Sequence, residues 1–170
     1  MAMSITTLAL LALAPFLVWR FYQRLKAMMM RQRSIVSRHY TGVGVFAAMI
    51  LVAGSEVIAR PALLGWLALG TAGGIAYGIW GLRLTRFEND TCHFTPNARL
   101  GMVIAMLFFA RVMYIGVEIY ANQGSNVPTP GFTDSFITLL ALGLTAGYFG
   151  TYSAGLIRWR RALKKAVNSA

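Results

Sequence analysis

The chain has 170 residues, of which 57% are hydrophobic and only 12% charged, with a formal net charge of +11. Soluble domains carry about 25% charged residues, so a soluble fold is excluded, and the clustered Lys and Arg are read first as determinants of membrane orientation rather than as a nucleic-acid surface. A single cysteine, Cys92, excludes an intrachain disulfide and a thiol relay within the chain.

Five apolar stretches of about 18–24 residues each reach the length that spans a bilayer. They predict an all-α, multi-pass membrane protein forming one integral domain over 1–170. The first helix is expected over 4–21, with Pro15 as a kink and Trp19 and Tyr22 at the membrane interface. Ala12-Leu13-Ala14 imitates a signal-peptide cleavage motif. No basic region precedes it and a proline would follow the cut, so a retained anchor is expected. The stretch 20–39 then carries Arg20, Arg24, Lys26, Arg31, Arg33 and Arg38 among apolar residues at near-helical spacing. Two readings fit. One is an amphipathic helix on the anionic inner leaflet, worth about 1 kcal/mol per basic residue. The other is a solvated loop that only sets orientation.

A second helix is expected over 41–59, with Glu56 near its end. Arg60-Pro61 makes a tight turn, because proline disfavours helix at the residue before it. The third helix, 62–82, carries Gly70, Gly74 and Gly78 on one face, a spacing that lets another helix approach closely. The polar segment 83–99 alternates in character around Asn89-Asp90 and predicts a short β-hairpin. Thr95 or Asn97 would cap the fourth helix, expected over 100–121. Asn122 to Asp134 is rich in Asn, Gly, Pro and Thr and has no Lys or Arg. The fifth helix, 135–157, repeats the small-residue stripe with Gly143, Gly147, Thr151 and Gly155, and basic residues follow it.

An outside N-terminus and a cytoplasmic C-terminus leave 14 of the 16 basic residues inside, only Arg60 outside, and Arg111 within the membrane. The positive-inside rule selects that orientation and makes the hairpin cytoplasmic. Helices three and five would both run outside to inside. Thr71-Ala72-Gly73 matches Thr145-Ala146-Gly147 and Gly81-Leu82 matches Gly155-Leu156 at one offset, as in a parallel internal repeat. Convergence on small residues explains the same matches.

The fourth helix holds the main candidate site. An arginine at the centre of a span costs roughly 2.5–3.5 kcal/mol, and each Leu, Ile, Phe or Val returns about 0.3–0.6. The segment can insert, but Arg111 should face protein or water. Side chains lean toward a helix N-terminus, so Arg111 is expected to lean inward, toward Tyr77 and Tyr152, with Thr151 at the same depth. Tyr114 and Glu118 share its face at i+3 and i+7, and Glu56 lies at a similar outer depth to Glu118. Two readings are open: a polar cavity for an anionic or polar ligand, and an Arg–Glu–Tyr network that holds the helices together.

His93 beside Cys92 reads as a hairpin residue, and Met28-Met29-Met30 as interfacial packing. No catalytic residues, metal or cofactor are assigned, because no nucleophile constellation, metalloprotease motif or phosphate loop is present. Leu84-Thr85-Arg86-Phe87-Glu88, a turn, Phe94, and an apolar helix with Ala110-Arg111-Val112 at its middle together resemble the CcdC-like family of small bacterial membrane proteins. The similarity covers about 85–120, with Thr85, Phe87, Glu88 and Arg111 as the family-like positions. The chain departs from that pattern in its long basic first loop and its Asn/Pro-rich outer loop. The resemblance implies a link to cytochrome c biogenesis gene neighbourhoods, for a family with no established enzymatic activity. The expected function is that of a non-catalytic accessory or assembly factor of the bacterial inner membrane, around membrane redox or haem-protein maturation. A small transporter or permease subunit with a polar site at Arg111 is the alternative. Expected partners are the bilayer, anionic inner-leaflet lipids, and a second copy or another membrane protein, but no nucleic acid.

Overall fold

The computed structural model describes residues 15–24, 26, 32–88, 92–122 and 131–168. Five helices and three short strands appear among them. Residues 15–24 are helical (α1), and the earlier part of the expected first helix lies outside the described residues. There follow β1 (Gln32–Arg33), α2 (Val36–Val57), α3 (Pro61–Arg83), β2 (Arg86–Glu88), β3 (His93–Thr95), α4 (Ala98–Ala121) and α5 (Phe136–Asn168). Four helices, α2 to α5, are long and apolar enough to cross a membrane.

The strands form an antiparallel sheet in the order β1-β3-β2, with Gln32 opposite Phe94 and Phe87 opposite Phe94 on its other side. The hairpin expected over 83–99 is therefore present, and it gains a third strand. Within the basic stretch, 32–33 are strand and 36–39 already belong to α2, which neither reading anticipated; 25 and 27–31 lie outside the described residues. Gln32 and Arg33 place their backbone groups in the ladder, and Ser34 N–H donates to Cys92 O at 3.0 Å. The turn residues of the hairpin and the methionine triplet lie outside the described residues.

Two helix boundaries also move. α2 begins at Val36 rather than Thr41, directly after the strand. α5 runs on to Asn168, well past the expected stop at 157. Arg, Lys, Ala and Leu are good helix formers, and cations suit a helix C-terminus, so the basic cluster extends the helix rather than ending it. At α4 the Asn97 side chain accepts from Arg99 N–H at 3.1 Å and serves as the cap.

α5 is the hub of the bundle. Half of its apolar span is buried, against 11–22% for α2, α3 and α4. α3 lies along it with backbones in contact. A Cβ on Gly74 would sit 2.8 Å from Tyr148 N and 3.0 Å from the Gly147 Cα, and one on Gly147 would meet Thr71 O at 2.5 Å and Ile75 N at 3.1 Å. Gly70 abuts the Leu140 backbone, Gly143 that of Leu67, and Gly78 meets Thr151. Residue numbers rise together along the contact, so α3 and α5 are parallel. The contacts are also reciprocal at an offset of 73: Gly70 pairs with Gly143, Gly74 with Gly147, Gly78 with Thr151 and Leu82 with Gly155. This local two-fold differs by one residue from the offset of the Thr-Ala-Gly match, so the spatial register follows the glycines and not that tripeptide. Only a small-residue face lets two backbones approach this closely.

α2 packs on α5 through Phe46 and Phe149, whose ring centroids are 5.5 Å apart, and through Gly42 against Ser153. α1 touches α4 where Phe21 stacks on Phe109, with centroids 4.2 Å apart. Two apolar cores result. One, of Ala53, Val57, Leu67, Leu139 and Leu142, lies toward the end opposite the sheet. The other joins Phe94 of the sheet to Tyr152 and Leu156 of α5, flanked by Leu82 and Trp159.

Candidate functional site: an arginine latch at the start of α5

Arg111 lies just past the midpoint of α4 and reaches across to α5. Its Nε donates to Thr138 Oγ1 at 2.9 Å and its Nη2 to Ser135 Oγ at 2.8 Å. Thr138 is fully buried, where an unsatisfied hydroxyl would be costly. The guanidinium also lies over the Tyr114 ring, 5.1 Å from its centroid. That geometry supports a cation–π attraction worth about 0.5–2 kcal/mol. Ser135 stands just before α5, where its carbonyl accepts from Leu139 N–H. Its hydroxyl receives the arginine.

This overturns the expected inward lean. Tyr77 is on the outer surface of α3, with its ring near Trp80. Tyr152 is buried at the sheet end, bonded to Thr85 Oγ1 at 2.9 Å. Neither approaches Arg111. The reason is a difference in depth. α4 continues ten residues past Arg111, about 15 Å of helix, whereas α5 starts almost level with it. The first turn of α5 thus brings two hydroxyls to the depth of the guanidinium, nearer than any tyrosine. The sequence places Tyr77, Tyr152 and Thr151 at the depth of Arg111 and does not single out Ser135 and Thr138. The available signal was the pair of hydroxyl residues opening helix five.

Glu118 lines the same small cavity as Arg111, together with Ile115, Ile119, Gly131, Ser135 and Thr138. The cavity holds about 20 Å³, of the order of one water molecule. Among the described residues Glu118 makes no ion pair with Arg111. Glu56 is exposed and lines a separate groove of about 460 Å³ with Val52, Phe132, Thr133 and Leu142. Of the six polar positions proposed from sequence, the structure brings together Arg111, Tyr114 and Glu118, and separates Glu56, Tyr77 and Tyr152 from them.

Beyond the latch, Asp134 forms a salt bridge with Arg60 in the α2–α3 turn and accepts from Gly131 N–H at 2.7 Å. The Arg60 guanidinium, and then the Gly131 N–H, hold its carboxyl below the usual carboxylate range.

The hairpin residues play distinct parts. Thr85 is buried and its hydroxyl bonds both Gly81 O, at 2.8 Å, and Tyr152 OH. Phe87 packs on Trp159, with ring centroids 4.8 Å apart. Glu88 faces His93 across the ladder. Among the described residues no group of three His, Cys, Asp or Glu could hold a metal ion. The chain matches no family model, no curated protein and no solved structure.

Proposed function

We propose that this chain is an integral protein of a bacterial cytoplasmic membrane, with the N-terminus outside, the sheet and C-terminus inside, and a non-catalytic accessory or assembly role. The observation that carries the reading is the state of Arg111. Its guanidinium is committed to two hydroxyls and an aromatic face, and the space beside it accommodates about one water. Such an arginine ties α4 to α5 and leaves no room there for a substrate. The basic residues at the sheet end, against the lone Arg60 at the other, support the orientation. The similarity of 85–120 to CcdC-like proteins supports a place in cytochrome c or membrane redox maturation, with a membrane protein or a second copy as partner.

The test is complementation of a deletion strain, with haem staining of c-type cytochromes as the readout. The account expects reduced staining on deletion and rescue by Arg111→Leu expressed at wild-type level. Normal staining in the deletion strain would overturn the redox assignment.

A second reading, a small permease subunit, draws on Glu118, which shares the Arg111 cavity without pairing with it. Flux into liposomes that is present for the wild type and lost in a stably inserted Arg111→Leu would select that reading instead.

A further inference from the structure

The sheet end holds a second concentration of charge. The extension of α5 beyond Ile157 packs against the first turn of α2. Arg161 Nη2 donates to Tyr40 OH at 2.6 Å and its guanidinium lies 5.8 Å from the centre of that ring. Arg160 comes within electrostatic reach of His39, whose Nε2 is 2.9 Å from Ser34 Oγ. Arg38 stands on the same first turn. The α2–α5 packing, with Gly42 against Ser153, thus sets Arg160 and Arg161 beside the start of α2.

Among the described residues no carboxylate forms a salt bridge with them. No acidic residue occurs before Glu56 or after Asp134 in the sequence. Glu88 lies on β2, the strand away from β1 and α2. Among the described residues the buried Nε of Arg160 finds no hydrogen-bond partner, an arrangement that ordinarily signals a missing acceptor. α2 also opens without a side-chain cap and without an acid in its first turn, so its N-terminal dipole adds to the same positive field.

Resting on the orientation proposed above, we propose that the junction of Arg38, His39, Tyr40, Arg160 and Arg161 binds the phosphate of an anionic phospholipid headgroup. The position fits that source. The junction lies where α2 begins its apolar span and α5 has just left its own, which is the depth of the inner-leaflet headgroups. Guanidinium groups present the forked donors that match a phosphate.

The experiment uses the full chain in nanodiscs of phosphatidylcholine with a minor share of phosphatidylglycerol, and counts co-purifying lipid by native mass spectrometry. The wild type should retain phosphatidylglycerol in preference to phosphatidylcholine. Arg160→Gln with Arg161→Gln should weaken retention by roughly thirtyfold, the combined effect of two basic residues near a lipid surface. Arg83→Gln with Arg86→Gln removes equal charge elsewhere at this end and should leave retention intact. Ile35→Asp supplies α2 with the cap it lacks and places a carboxylate beside the junction. That variant should be at least as heat-stable as the wild type yet lose the lipid, which separates loss of the site from loss of the fold. Equal losses from both arginine pairs would overturn the proposal, as would retention by Ile35→Asp. Stabilisation of detergent-solubilised protein by inorganic phosphate alone, with no lipid preference, would assign the site to a soluble anion and overturn the lipid. A chain that fails to insert at all would sink the membrane reading itself, whereas an inserted chain with no lipid preference sinks only this site.

Discussion

Arg111 was conspicuous in the sequence because an apolar span should not contain it, and the structure accounts for it with Ser135, Thr138 and Tyr114. Arg111→Leu should insert at least as well as the wild type, since a cost of about 3 kcal/mol is removed. It should nevertheless unfold more easily. Two membrane hydrogen bonds at about 0.6–1.7 kcal/mol each set the expected loss, measurable by steric trapping, and Thr138→Val alone should lose less. Thr85→Val should cost about 1–3 kcal/mol by leaving the buried Tyr152 hydroxyl without its partner. Asp134 carries a pH dependence. Its folded pKa is depressed, so its contribution is present above the unfolded value and lost as pH falls through the folded one. The difference in thermal stability between the wild type and Asp134→Asn should therefore hold at neutral pH and vanish only in acid below the ordinary carboxylate range. The pair is exposed, so salt should also shrink that difference.

The glycine stripes on α3 and α5 show what was legible at the scale of elements. Their spacing announced close helix contact, and the structure sets Gly70 and Gly74 against Gly143 and Gly147. The register was not legible, because the Thr-Ala-Gly match suggested an offset one residue away from that of the glycines. Small residues specify a face, but only packing of the whole helices decides which turn meets which. Gly74→Ala should destabilise by roughly 1–3 kcal/mol, the usual cost of overpacking, because its Cβ would meet backbone atoms that cannot move aside. Gly116→Ala should be near neutral, since nothing lies within 4 Å of its Cβ position. Thermal unfolding in detergent compares the two directly. The third strand escaped sequence reading for a related reason. Gln32–Arg33 has no strand pattern of its own and is extended only because β3 offers it a ladder.

Viewed whole, the molecule is a helical bundle around α5 with a small sheet at one end and the Arg60–Asp134 clasp at the other. Composition and span length were enough to anticipate the helices, whereas relative depth was not, because α5 is displaced along α4 by a long extension that carries the basic residues. That displacement determines which groups Arg111 meets and puts Arg160 and Arg161 beside α2. The lipid site proposed for Arg160 and Arg161 depends on the sheet end lying inside the cell. Cys92, the single cysteine, is a native reporter at that end. Treatment of intact cells with a membrane-impermeant maleimide should leave Cys92 unlabelled until the membrane is permeabilised. A Cys92→Ser, Thr133→Cys variant should label at once. Labelling of Cys92 in intact cells, with Thr133→Cys protected, would reverse the orientation and contradict the account.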